Sequence, residues 1–148
     1  MNSRFMLEAI KEAGKAYLRG EVPVGAVIVR NGEIIAADGN RREEKQNALS
    51  HAETEVIDAA CRRLGRWRLD DCELYVTLEP CCMCAGAIIN SRIKTLVFGA
   101  YDRRAGCIDS VVNLCSYPLG SRPEIFGGIK EEECAELLKK FFAEKRSL

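Results

Sequence analysis

Glu73-Leu74-Tyr75-Val76-Thr77-Leu78-Glu79-Pro80-Cys81-Cys82-Met83-Cys84 joins an apolar run to a cysteine pair, and Ala85 to Asn90 continues it without a charge. Glu73 to Leu78 reads as a short strand, Pro80 to Asn90 as a helix, and Thr95 to Gly99 as a second strand. A strand–helix–strand unit of this length makes a parallel pair, which sets the chain in the α/β class. In such sheets the working site lies beyond the carboxyl ends of the strands. That is where this run delivers its cysteines. Cys81 and Cys84 are three apart, so they share one face of a helix that Pro80, a favoured first-turn residue, begins.

Upstream stands His51-Ala52-Glu53. His51, Cys81 and Cys84 supply three nitrogen and sulfur ligands, the number a catalytic zinc takes from the protein when water fills the fourth position. Glu53 is a carboxylate suited to moving protons beside such a water. Two residues apart, His51 and Glu53 point to nearly opposite sides of a regular helix, so both approach one ion only if it lies off the helix N-terminus. The expectation is a site where two helix starts meet, whose unpaired N–H groups favour its net negative charge. Each fragment alone has another reading: the histidine as a cap, the C-x-x-C pair as a redox couple or half of a structural zinc ribbon. The joint pattern favours a catalytic zinc. Cys82 competes with its neighbours for a place in the set, and spacing prefers Cys81 and Cys84.

Around this core, Phe5, Met6, Ala9, Ile10, Ala13, Ala16 and Tyr17 recur at helical spacing after Ser3, which reads as the cap. Gly25 to Arg30, Asn31-Gly32 and Glu33 to Ala37 read as a hairpin. Asn40 to Ser50 is polar and without period, a loop that delivers His51. Val56, Ile57, Ala60, Cys61 and Leu64 mark a helix that ends near Gly65. Ile108 to Leu114 reads as a short helix and Glu124 to Phe126 as an edge strand. Cys134, Leu137, Leu138, Phe141 and Phe142 mark a last helix after the acidic turn Glu131 to Glu133.

At 148 residues, 47% of them hydrophobic, the expectation is a single domain over 1–148 with a sizeable core. Met1 to Leu18 is amphipathic and has no signal-peptide core, and no run approaches a membrane span, so a reduced cytoplasmic setting is expected. There Cys61, Cys72, Cys107, Cys115 and Cys134 read as small buried apolar residues or free thiols. Lysine plus arginine equals aspartate plus glutamate at 22 each, which excludes a field that holds nucleic acid indiscriminately. Local basic pairs remain, notably Arg103-Arg104 and the C-terminal Lys145-Arg146.

With His51-x-Glu53 and Pro80-Cys81-x-x-Cys84 on two helices around a mixed sheet, the sequence resembles the zinc-dependent cytidine/deoxycytidylate deaminase superfamily. More narrowly it resembles the bacterial tRNA-specific adenosine deaminase (TadA) family. Glu21-Val22-Pro23-Val24-Gly25-Ala26-Val27, Leu74 to Cys81, Met83 to Ile88, Ser91-Arg92-Ile93, Val97 to Ala100, and Glu133-Cys134 through Phe141-Phe142 carry that likeness. The resemblance implies a three-layer cytidine deaminase-like fold, with a central mixed sheet of five strands and helices on both faces.

It also implies hydrolytic conversion of adenosine to inosine at the wobble position of a tRNA anticodon. On that reading one zinc ion per subunit, held by His51, Cys81 and Cys84, acidifies a water whose hydroxide attacks C6 of adenine, while Glu53 shuttles the protons. Asn40 stands at the family's asparagine position and hydrogen-bonds the flipped base or its ribose, although as a bare residue after Gly39 it reads as a turn former. Asp102 stands at the family's aspartate position and touches the RNA, its alternative being an ordinary loop aspartate. The resemblance implies a tRNA anticodon stem-loop as partner, a homodimer in which each site borrows residues from its neighbour, and no organic cofactor. One departure stands out: Gly120-Ser121 occupies the place of the family's Asn-His pair. With the neutral charge, it motivates an alternative, a zinc-dependent deaminase of a free base or nucleoside of guanine or cytosine type. A zinc-stabilised RNA-binding module with a dead site is the third reading, against which the intact Glu53 argues.

Overall fold

The computed structural model describes residues 2–147; Met1 and Leu148 lie outside the described residues. Helix α1 (Ser3–Leu18) precedes a hairpin of β1 (Gly25–Arg30) and β2 (Glu33–Gly39). A four-residue helix α2 (Arg42–Lys45) and α3 (Ala52–Leu64) lead to β3 (Cys72–Leu78), α4 (Cys82–Asn90) and β4 (Thr95–Ala100). A 3₁₀ turn at Leu114–Ser116, the short β5 (Glu124–Phe126) and α5 (Glu131–Arg146) complete the chain. The strands form one sheet in the order β2-β1-β3-β4-β5. β1 is antiparallel to both β2 and β3, whereas β3, β4 and β5 run parallel.

The hairpin turns where both central residues take positive φ, Asn31 at 52° and Gly32 at 75°, the backbone twist a two-residue connection needs. The ladder then continues past the expected end at Ala37, pairing Asp38 with Ala26 and Gly39 with Gly25. Side chains alternate between two buried faces. Ala26, Ile28, Leu74, Val76, Leu96 and Phe98 meet α3 and α4. Val27, Val29, Tyr75 and Val97 meet α1 and α5. Burial of each large side chain contributes about 1.5–3 kcal/mol, which explains why the three central strands carry apolar residues on both faces. The result is the expected mixed sheet of five strands between two helical layers.

Three local expectations are corrected. Asn2, not Ser3, caps α1: its Oδ1 accepts the Arg4 amide at 2.9 Å. Pro80 lies outside α4, and Cys81 is the N-cap, in extended conformation. Ile108 to Leu114 is not a helix, because its amides bond out of helical register. Ile108, Asp109 and Ser110 donate to Glu79, Val111 donates to Gly106 O, and Leu114 to Cys107 O. The polar loop before His51 also contains α2, held by the carboxylate of buried Glu21, which accepts the Glu43 and Glu44 amides at 3.0 and 2.7 Å.

Candidate active site

His51 is the N-cap of α3 and Cys81 the N-cap of α4. Both sit where an extended segment enters a helix, so their side chains turn toward the space in front of the two N-termini. Cys84, one turn into α4, is buried there too. His51 Nδ1 lies 3.6 Å from Cys81 Sγ and 3.5 Å from Cys84 Sγ. A tetrahedral ion with Zn–N and Zn–S bonds of the usual length requires a nitrogen–sulfur edge of about 3.6 Å, so the donor spacing fits zinc. Thr54 fixes the cap: its Oγ1 accepts the His51 amide at 3.1 Å and lies within bonding distance of the Leu49 and His51 carbonyl oxygens.

The charges of these groups are interdependent. A hydrogen bond from the Cys84 thiol, and then one from the imidazole, hold the Cys81 thiol down to about 3. Cys81 in turn pushes the Cys84 thiol strongly upward, and burial adds to that. The Cys81 contact also raises the His51 imidazole. Cys81 is thus the more readily ionised thiol of the pair. Glu53, in the first turn of α3 and only 4% exposed, is pushed up to about 7 by burial. A carboxyl poised near neutrality can both accept and return a proton.

In front of these residues is a cleft of about 160 Å³. Val22, Val24 and Leu78 give it apolar walls, and Asn40, Arg42 and Asp102 line it with polar groups. Asn40 is buried, its backbone amide on Val24 O and its carbonyl on Arg19 Nη2. Its Oδ1 faces the Arg42 amide at 3.4 Å, a weak local turn contact. Asp102 lines the cleft while its Oδ1 caps the loop by accepting the Arg104 and Ala105 amides at 3.1 and 3.2 Å. All six residues singled out from the sequence therefore stand at one place: His51, Cys81 and Cys84 as the donor cluster, with Glu53, Asn40 and Asp102 on the cleft. Cys82 is exposed and outside the cluster.

Gly120 and Ser121 lie elsewhere. Ser121 Oγ donates to Ile89 O at 3.0 Å near the C-terminal end of α4, and Gly120 rests by the Arg92 guanidinium. Neither residue lines the cleft.

Sequence reasoning passed over Thr54, Arg42 and Glu79. Thr54 reaches back to the N-cap amide as the glutamate of a capping box does, but after a histidine cap the sequence does not signal such a box. Glu79 is 2% exposed and accepts the amides of Asp102, Ile108, Asp109 and Ser110, and the Ser110 hydroxyl. Burial opposes its charge, but the Ser110 hydroxyl and these amides outweigh it and hold the carboxyl below its ordinary range.

A histidine and two cysteines gathered at two helix starts on an α/β/α sheet, with a buried glutamate beside them, define a nucleobase-type deaminase. Residues 2–146 match the model of the MafB19-like deaminases. The tRNA-specific adenosine deaminase of Bacillus subtilis (strain 168) is 52% identical over 143 residues, covering 96% of this chain and 89% of the relative. A solved structure from a study of A-to-I editing by tRNA:A34 deaminases at the wobble position superposes with a TM-score of 0.90. It is 46% identical and covers 93% of this chain and 100% of its own. A guanine deaminase structure from Bacillus subtilis is 40% identical with a TM-score of 0.65, covering 68% of this chain and 66% of its own. The chain belongs to the tRNA-specific adenosine deaminases, within the MafB19-like deaminases.

Proposed function

We propose that this chain converts adenosine to inosine at the wobble position of a tRNA anticodon, as one zinc deaminase domain spanning residues 1–148. The observation that carries the chemistry is the convergence of His51, Cys81 and Cys84 beside buried Glu53 at the floor of the cleft. One imidazole and two thiols are a donor set for zinc and a poor one for magnesium or calcium, which take oxygen. The three residues hold the ion, and when bound it supplies a Lewis acid that makes water acidic near neutral pH.

The remaining work falls to the chain. Glu53 takes a proton from the attacking water and passes it to the ring nitrogen of adenine, then takes the remaining proton from the new C6 hydroxyl and delivers it to the amine as the C–N bond breaks and the C6 carbonyl forms. The products are inosine and ammonia, so one carboxylate returns to its starting state in each cycle. Val22, Val24 and Leu78 enclose the base against bulk water. Asn40 hydrogen-bonds the flipped base or its ribose, and Asp102 contacts the RNA at the cleft wall. We assign the chain a cytoplasmic setting, supported by eight unpaired cysteines, and no helix among the described residues is long and apolar enough to cross a membrane. We also assign it a homodimeric state, supported by the partly exposed small residues Gly86 and Ala87 on α4.

The test is ammonia release by the zinc-loaded protein from an adenosine-containing anticodon stem-loop, beside free bases and nucleosides. Glu53→Ala is expected to keep zinc and fold and to lose turnover by about a hundredfold to ten-thousandfold or more. Normal turnover in that variant sinks the mechanism. The likeness to a guanine deaminase supports a second reading, deamination of a free base, which turnover on guanine but not on RNA would establish.

A further inference from the structure

Glu79 stands two residues before Cys81 and lines the same cleft, yet none of its side-chain hydrogen bonds goes to the donor cluster. All five of its hydrogen-bond donors come from one segment, 102–110. Oε1 accepts the Asp102 amide at 3.0 Å and the Ser110 hydroxyl; Oε2 accepts the Ile108, Asp109 and Ser110 amides at 3.2, 2.7 and 2.8 Å. No cation bonds to it among the described residues, so four backbone N–H groups and the Ser110 hydroxyl carry the whole compensation for burying this carboxylate. The segment is shaped to fit: a Cβ at Gly106 would meet Glu79 Cδ at 2.3 Å. Main-chain bonds flank the contact, Glu79 N to Ala100 O and Cys107 N to Pro80 O, each 2.8 Å.

The same segment carries Asp102 and Ala105, which line the cleft together with Asn40 and Arg42, and the exposed Arg103 and Arg104. One side chain thus links the strand end that delivers Cys81 to the loop that forms a wall for the substrate. Asp102 cannot supply this link, since its Oδ1 only closes its own turn.

We propose that Glu79 is a positioning residue for the nucleotide: it seats segment 102–110 so that the wall bearing Asp102 and Ala105 meets the base held beside Glu53. The inference rests on the deaminase reading for the identity of the substrate. Glutamine keeps the shape of Glu79 but replaces one acceptor oxygen with a donor, so at least one amide of the segment loses its partner.

In the zinc-loaded protein, Glu79→Gln is expected to keep full metal content. It should raise KM for the stem-loop about tenfold with kcat little changed, the cost of one buried unsatisfied donor. Trypsin should also cut after Arg103 or Arg104 several-fold faster. Wild-type KM together with wild-type resistance to trypsin overturns the proposal, as does loss of zinc and kcat with an unaltered cleavage rate, which would make Glu79 a support for Cys81 alone. Should Glu79→Gln fail to fold, Ser110→Ala decides, because Ser110 is exposed and only its hydroxyl is removed. A smaller rise in KM with faster cleavage supports the role, and no change in either overturns it. Trypsin cleavage reads the seating of the loop without turnover, so failure of the deaminase reading would show separately, as wild-type inactivity on RNA.

Discussion

Cys82 and Cys84 are two positions apart on α4, a rotation of about 200° at 3.6 residues per turn. That angle leaves Cys84 buried against His51 and puts Cys82 in solvent. Cys84→Ala is expected to lose bound zinc and turnover, whereas Cys82→Ala keeps both. Metal analysis of the two purified variants checks this, and loss of zinc from Cys82→Ala would mean that the exposed thiol enters the donor set. That His51, Cys81 and Cys84 gather beside Glu53 was legible in the sequence, because few residue types bind zinc or move protons and the spacing restricts how they meet. Glu21 and Glu79 were not legible. A glutamate satisfied by backbone amides leaves no partner residue in the sequence to point to it, and its ordinary place is the surface.

Gly25 shows at the scale of elements why α1 lies where it does. A Cβ on it would come within 2.0 Å of Ala9 O and 2.3 Å of Ala13 N, both main-chain atoms of α1, so no side-chain rotamer can relieve the clash. Gly25→Ala must push the helix off the strand, and we expect it to destabilise the fold by about 3 kcal/mol or more, the upper range for overpacking. The midpoint of chemical denaturation measures this; an unchanged midpoint would show that α1 slides freely. Helix α1, the hairpin and the β3-α4-β4 unit were readable from periodicity and turn residues. The segment from 102 to 116 was not, because a carboxylate far back in the chain organises its amides. The apolar residues Ile108, Val111 and Leu114 fall at helical spacing there, but only Ile108 reaches full burial while Val111 faces solvent.

The molecule as a whole has equal numbers of positive and negative side chains, so two copies meet without net repulsion. Val111, Val112, Tyr117 and Leu119, exposed large apolar residues, fall within nine positions of one another in the segment whose 3₁₀ turn packs against α4. A stable interface needs about 1,200 Å² or more of buried surface, and these residues with the Gly86 and Ala87 face of α4 offer an apolar centre for one. Sedimentation at micromolar concentration is expected to give twice the chain mass. Val111→Asp combined with Leu119→Asp should yield the monomer with an unchanged circular dichroism spectrum, since neither side chain is buried. If each site borrows residues from its neighbour, this monomer also loses turnover on the stem-loop while it keeps its zinc. A monomer with wild-type turnover would show that the cleft of one chain is sufficient, and a wild-type protein that sediments at the mass of one chain would remove the homodimer altogether.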